Sequence, residues 1–118
     1  MLMTHTPNHI DYLEFSAGSQ EGLQANRQFY ETVFGWSYQE WGDEYVDTQS
    51  SGLASGIALT SEKRAPLPVV DTDDLEVSLQ NIKVAGGNIC RDIFDFPGGR
   101  RFHFTDPSGN ELAVWSDK

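Results

Sequence analysis

His103, Glu111 and Glu14 carry the side chains of this sequence that are best suited to acid–base chemistry. An imidazole next to a carboxylate can take up and return a proton near neutral pH, which is what general base catalysis requires. His103 with either Glu111 or Glu14 is therefore a candidate catalytic pair. The alternative is that they are ordinary strand residues, since most histidines and glutamates on strands have no catalytic role.

The residues around His103 predict a β-hairpin. Residues 101–105 and 112–115 alternate between apolar and other side chains, with the period of two that is typical of strands. The segment Asp106-Pro107-Ser108-Gly109-Asn110 lies between them and suits a tight turn. If Asp106 pairs with Asn110, His103 lies opposite Ala113 on the neighbouring strand.

This register divides the hairpin into two faces of different character. The apolar face consists of Phe102, Phe104, Leu112 and Val114. The other face consists of Arg101, His103, Thr105, Glu111, Ala113 and Trp115. Because a shift of one residue on one strand would mix the two sets, the separation favours this register. We expect the apolar face to pack under a helix and the other face to line a cavity.

Residues of the second face are candidates for binding a ligand. Arg101, or its neighbour Arg100, can hold an anionic group through two parallel hydrogen bonds, and Trp115 can form an aromatic wall. Thr105 and Ala113 share this face and are further candidate ligand contacts. On the predicted first strand, Tyr12 is a candidate for a second aromatic wall. For Arg101 the alternative is a surface charge in solvent.

The same order of elements, a strand, a helix and three strands, is predicted twice along the chain. In the first half a strand at 10–15 precedes a helix at 20–34, which Ser19 can cap and Gly35 can end. The apolar stripe of this helix contains Leu23, Tyr30, Val33 and Phe34. Strands are predicted to follow at 36–41, 45–49 and 53–59.

In the second half a strand at 67–70 precedes a helix that begins at Asp73 or Asp74 and ends at Gly86. Its apolar face contains Leu75, Leu79 and Ile82. Strands at 88–94, 101–105 and 112–115 follow. This order predicts an α+β fold with the helices packed outside mixed sheets. With 118 residues we expect one domain, its modules at about 9–60 and 66–117.

The repeated βαβββ order, together with residues 29–36 in the first half and the turn at 106–110, resembles the vicinal oxygen chelate superfamily. That superfamily contains glyoxalase I, the extradiol dioxygenases, and the bleomycin- and fosfomycin-resistance proteins. The resemblance covers residues 10–115. It implies two βαβββ modules whose sheets form a U-shaped cavity, a homodimer, and, in metal-dependent members, a divalent metal held by two residues from each module.

The four ligand positions implied by this resemblance carry few metal-binding side chains here. The glutamate of the last strand, four residues after the turn glycine, falls at Ala113, and the histidine that opens the second module falls at about Leu67. The position on the first strand falls near Tyr12, with His9 at the start of that strand, and residues 56–59 offer no donor. We therefore expect no metal cofactor. A divalent metal is the alternative.

Composition and charge disfavour several classes of partner. The formal net charge of −10 repels nucleic acid and anionic membranes. No apolar run reaches the roughly 18 residues that span a bilayer, and the N-terminus lacks the features of a signal peptide, so we expect a cytoplasmic protein. Cys90, the single cysteine, is expected to be a small buried residue, and His5 is expected in a flexible tail.

Three functions stay open on these grounds. The first is a protein of the bleomycin-resistance kind that binds a small organic metabolite without a metal. The second is a metal-independent isomerase or lyase that moves a proton with His103 and a carboxylate. The third, which follows the resemblance, is a metal-dependent lactoylglutathione lyase or dioxygenase.

Overall fold

The computed structural model describes residues 5–61 and 64–118, and within them it has eight strands and two helices. The strands are β1 (Ile10–Ala17), β2 (Tyr38–Glu40), β3 (Tyr45–Thr48), β4 (Ala54–Leu59), β5 (Leu67–Asp71), β6 (Asn88–Phe96), β7 (Gly99–Thr105) and β8 (Glu111–Ser116). The helices are α1 (Gln20–Phe34), after β1, and α2 (Leu75–Ala85), after β5. This order confirms the α+β class and the repeated βαβββ arrangement.

The chain divides into two compact units. The first unit is Tyr12–Leu67, and the second unit combines the residues up to Asp11 with Pro68–Lys118. The sequence-based prediction of one domain, with modules at 9–60 and 66–117, remains a prediction. Neither helix in the described part of the chain is long and apolar enough to cross a membrane.

In the first unit, β1 pairs with β4 in parallel, and β3 pairs with β4 and β2 in antiparallel fashion. Helix α1 begins after Ser19, whose Oγ accepts a hydrogen bond from the backbone N–H of Gly22, and it ends at Gly35 with a φ of 73°. Leu23 is buried in a core with Ala17, Val46 and Ile57, and Tyr30 packs against this cluster.

The predicted apolar stripe of α1 was only partly correct. Val33 is 53% exposed and Phe34 is 59% exposed, so neither belongs to the core. The rings of Tyr30, Phe34 and Trp36 instead stack at the end of the helix, with centroids of Phe34 and Trp36 separated by 5.1 Å. Strand β2 begins at Tyr38 rather than at the predicted residue 36, and the backbone N–H of Ser37 donates to Ser50 Oγ instead of to a neighbouring strand.

In the second unit, β5 pairs with β8 in parallel, and β7 lies between β8 and β6 with antiparallel pairing on both sides. Helix α2 begins after Asp74, whose side chain accepts a hydrogen bond from Val77 N at 3.1 Å. Of the two N-cap residues that the sequence left open, Asp74 is therefore the one that caps the helix. The helix ends at Gly86, with a φ of 101°. The core of this unit contains Leu75, Phe102 and Val114, which fix α2 against one face of the β7–β8 hairpin.

Candidate active site on the polar face of the β7–β8 hairpin

The β7–β8 hairpin has the register that the sequence predicts. Arg101 pairs with Trp115, His103 with Ala113, and Thr105 with Glu111. The predicted packing of the apolar face is confirmed as well, since Phe102, Phe104 and Val114 contact the core that includes α2. The opposite face, called the polar face below, consists of Arg101, His103, Thr105, Glu111, Ala113 and Trp115.

The turn between the two strands is closed by Asp106. Its backbone N–H donates to the carbonyl of Asn110 at 2.9 Å, and its carboxylate accepts from Ser108 N, Asn110 N and Asn110 Nδ2. These hydrogen bonds, the one from the Asn110 side chain first, hold the pKa of Asp106 below its ordinary value. The turn therefore fixes the register that places His103 opposite Ala113.

His103 and Glu111, one of the predicted acid–base pairs, are joined directly by a hydrogen bond. His103 Nδ1 lies 2.8 Å from Glu111 Oε2. The imidazole is buried, with 1% of the residue exposed, whereas the Glu111 side chain is 41% exposed. With Nδ1 protonated, the imidazole donates to the carboxylate, and this hydrogen bond orients the ring. A buried base is thus linked to a carboxylate that reaches solvent.

Aromatic rings of β6 extend the polar face. The ring of Phe94 lies 5.8 Å from that of His103, and the ring of Phe96 lies 6.3 Å from that of Trp115. The guanidinium carbon of Arg101 lies 5.4 Å from the centroid of Phe94 and 5.7 Å from that of Phe96. The strand predicted here ends at Phe94, two residues before the end of β6. The alternation of Phe94 with Phe96 was the signal that could have extended it.

Cys90 contradicts its prediction as a buried residue. It lies on β6, next in sequence to Ile89, which packs in the core, and it is exposed. Residual burial and the negative charge of Glu111 raise the pKa of the Cys90 thiol. Its thiolate fraction at neutral pH is therefore smaller than that of a free cysteine, and it is not an activated nucleophile.

Glu14, the other predicted carboxylate partner, lies in the first unit with Arg64 as its ion-pair partner. The Arg64 guanidinium donates to Glu14 Oε1 at 3.0 Å, and Glu14 is only 4% exposed. Ser16 fixes the backbone of Arg64, because its hydroxyl accepts from Arg64 N at 2.7 Å and donates to Arg64 O at 2.9 Å. Glu111, one of the two carboxylates left open by the sequence, lies within hydrogen-bond distance of His103.

Tyr12, the predicted wall residue of β1, also lies in the first unit and is hydrogen-bonded to a second tyrosine. Its hydroxyl contacts the hydroxyl of Tyr45 above Gly56, where a Cβ would collide with both. Burial, with Tyr45 as the next cause, raises the pKa of Tyr12 well above its ordinary value. Sequence reasoning missed Tyr45, because β3 offered no motif that marks it.

The residues at the four metal-ligand positions implied by the resemblance do not fit a metal site. Leu67 is 1% exposed and Ala113 is 0% exposed, so two of the four positions carry buried aliphatic side chains. The Tyr12 hydroxyl is engaged with Tyr45, and the strand at 56–59 adds no donor side chain. A divalent metal needs three or four donor atoms from the protein, which these positions do not supply.

Trp115, the remaining aromatic candidate, holds part of the N-terminal segment in place. Its indole N–H donates to Asp11 Oδ1 at 3.2 Å, and the ring of His5 stands edge-on to it with a centroid separation of 4.7 Å. His5 Nδ1 also lies 2.8 Å from Asp11 Oδ2. The expectation that His5 lies in a flexible tail was therefore wrong, because these two contacts hold its side chain.

Comparisons with known proteins agree with this arrangement of elements. Residues 20–114 match the family model of the Glyoxalase/Bleomycin resistance protein/Dioxygenase superfamily. No curated protein matches the sequence.

Solved structures resemble this chain at low sequence identity. The NAD-dependent benzaldehyde dehydrogenase from Legionella pneumophila has a TM-score of 0.72 at 14% identity, covering 91% of this chain and 98% of that chain. The Mn(II)-bound glyoxalase from Novosphingobium aromaticivorans has a TM-score of 0.70 at 19% identity, covering 94% of this chain and 39% of that chain. A methylmalonyl-CoA epimerase from Streptomyces coelicolor has a TM-score of 0.63 at 15% identity, covering 94% of this chain and 98% of that chain. At these identities the likeness concerns the fold.

Proposed function

Because this chain belongs to the glyoxalase/bleomycin resistance protein/dioxygenase superfamily, we propose that it binds a small organic molecule on the polar face without the superfamily's metal. The observation that carries the proposal is the pair of buried aliphatic residues, Leu67 and Ala113, at two of the metal-ligand positions. A ligand must then be held by the side chains themselves rather than through a metal. The expected homodimer and cytoplasmic location remain predictions.

The side chains of the polar face indicate the chemistry of the ligand. Phe94, Phe96 and Trp115 present aromatic rings, which suit a flat or apolar body. Arg101 lies beside these rings and carries a positive charge in a protein with a net charge of −10. We therefore expect a flat organic anion, such as an aromatic carboxylate, with its anionic group at Arg101.

A comparison of two arginines tests this proposal. Arg101→Ala removes the proposed anion contact, whereas Arg91→Ala removes an exposed arginine whose guanidinium lies 3.6 Å from the centroid of the same Phe94 ring. The purified proteins would be denatured and their released small molecules quantified by mass spectrometry, with a panel of aromatic carboxylates titrated against each protein. We expect loss of binding in Arg101→Ala alone. Equal binding by the two variants would contradict the proposal, and so would the absence of any bound molecule.

The 2.8 Å contact between His103 and Glu111 favours a second function, that of a metal-independent isomerase or lyase that works by proton transfer. Such a pair can remove a proton from a carbon next to a carbonyl and return it, with the carboxylate orienting the base. The test is deuterium incorporation from heavy water into a bound carbonyl compound. Exchange that His103→Gln and Glu111→Gln abolish would support catalysis, whereas unchanged exchange in both variants would leave binding as the function.

A further inference from the structure

His5, Asp11 and Asp71 bring together three side chains that can ligate a metal, away from the positions implied by the family resemblance. All three belong to the second unit. One imidazole nitrogen and one oxygen of each carboxylate all lie within 4.8 Å of one another. Asp71 is the last residue of β5, Asp11 is the second residue of β1, and His5 precedes β1. The function proposed above uses none of these side chains.

Backbone and side-chain contacts hold these donors in place. The backbone N–H of Asp71 donates to the carbonyl of His9 at 2.9 Å, and that of Asn8 donates to the carbonyl of Asp71 at 2.7 Å. These bonds fix the segment before β1 to the end of β5. Trp115 supports Asp11 through its indole N–H and packs against His5. The donors are therefore positioned before any ligand arrives, which lowers the cost of binding.

Asp71 is the member of the cluster whose charge most needs a positive charge nearby. It is 5% exposed, and within residues 5–61 and 64–118 its carboxylate accepts no hydrogen bond. It lies in the field of three further carboxylates, those of Asp11, Asp73 and Asp117, with His5 as the favourable neighbour. A largely buried carboxylate that receives no hydrogen bond from the protein and lies close to other carboxylates is stabilised by a cation beside it.

We propose that His5, Asp11 and Asp71 bind a divalent cation of the class that accepts mixed nitrogen and oxygen ligands, with Mn²⁺ and Zn²⁺ as representatives. Two carboxylates balance the charge of the cation, and the imidazole favours first-row transition metals over Mg²⁺ and Ca²⁺, which prefer oxygen ligands alone. Three protein ligands leave positions for water or a small molecule. Because Trp115 contacts both Asp11 and His5, the site adjoins one end of the polar face.

Paramagnetic broadening by Mn²⁺ locates the site. Tag-free protein with its own N-terminus would be titrated with MnCl₂ while the indole N–H signals are followed by NMR. The Trp115 indole donates to Asp11, whereas the Trp41 indole donates to Asp47, an aspartate outside the cluster, at 3.0 Å. We expect the Trp115 signal to broaden at a lower Mn²⁺ concentration than the Trp41 signal and to disappear near one equivalent, because its indole is hydrogen-bonded to a proposed ligand. We expect Zn²⁺ but not Mg²⁺ to restore it. Broadening of Trp41 at the same or a lower Mn²⁺ concentration, or broadening of Trp115 only in large excess of Mn²⁺, would overturn the proposal.

Substitutions in the cluster provide a second test of the cation site. His5→Ala and Asp71→Asn should each weaken Mn²⁺ binding by at least about ten-fold, the scale typical of losing a ligand or its support. Asp73→Asn is the matched control, because Asp73 is exposed and close in sequence but offers no ligand atom to the cluster. Folding of each variant would be checked by its NMR spectrum. Affinity that is unchanged in His5→Ala, which lies outside the regular elements, would refute the site even if Asp71→Asn unfolds.

Discussion

His103 and Glu111 are joined across a diagonal of the β7–β8 hairpin. Their direct cross-strand partners are Ala113 and Thr105, yet His103 Nδ1 and Glu111 Oε2 approach to 2.8 Å. Since Ala113 has a small side chain, the imidazole can turn towards the next residue pair on the same face. The pairing thus depends on the same alanine that replaces the metal ligand implied by the family resemblance.

Glu111→Gln should weaken the hydrogen bond between residues 103 and 111 while keeping the size of the side chain. We expect the free energy of unfolding at pH 7 to fall by about 1 kcal/mol, the size of a hydrogen bond to a charged group discounted for the exposure of Glu111. The measurement is urea unfolding, and Glu44→Gln, at an exposed position, is the control. In a double-mutant cycle with His103→Gln, a coupling energy near zero would show that the contact does not stabilise the protein.

Cys90 reports on the charge of Glu111. Residual burial and this charge raise the pKa of the thiol, so its alkylation by iodoacetamide should inflect above the roughly 8.5 of a free cysteine. Glu111→Gln removes the negative charge, lowers the pKa and accelerates alkylation at pH 7.5. Mass spectrometry can follow the reaction without ambiguity, because Cys90 is the only cysteine. A wild-type inflection at or below 8.5 would contradict the assigned environment.

Asp106 should make the stability of the turn dependent on pH. Hydrogen bonds from Asn110 and the turn backbone hold the pKa of Asp106 in the folded protein below its value in the unfolded chain, which is about 3.9. The ionised carboxylate therefore stabilises the folded state above a pH of about 3.9, and this stabilisation is lost as the pH falls through the lower folded pKa. The melting temperature of Asp106→Ala should therefore differ most from wild type near pH 6 and least near pH 2. Asp43→Ala, at an exposed position, is the control. A difference that is constant with pH would contradict the prediction.

The hairpin and its neighbours show which features of this protein the sequence could predict. Its register followed from two faces of unlike polarity, because a shift of one residue would place Phe102 and Val114 on opposite sides. The hydrogen bond between His103 and Glu111 was not predictable from the register, since strand pairing does not determine which diagonal neighbour a ring turns towards. The anchoring of His5 depends on Trp115, which lies too far along the chain for local patterns to reveal.

The burial of individual residues was predicted less well than the elements themselves. Alternation placed Cys90 on a strand, which is correct, but it could not indicate which side of β6 is covered. The helical period likewise placed Val33 and Phe34 on the stripe of α1, whereas Leu23 and Tyr30 are the members of that stripe that contact the core of the first unit. Periodicity determines which residues share a face, and the tertiary structure determines how much of that face is buried.

Gly56 should tolerate no side chain, because it lies beneath the paired hydroxyls of Tyr12 and Tyr45. We expect Gly56→Ala to lower the free energy of unfolding by about 1–3 kcal/mol through overpacking, measured by urea unfolding. Since the Tyr12 hydroxyl is the nearest atom to the added methyl group, Tyr12→Phe should recover part of this loss in the double variant. Gly18→Ala is the matched control, because nothing lies within 4 Å of its added Cβ. Equal stability of the two alanine variants would show that the tyrosine pair can move aside at little cost, and that this part of the first unit is less rigid than its packing indicates.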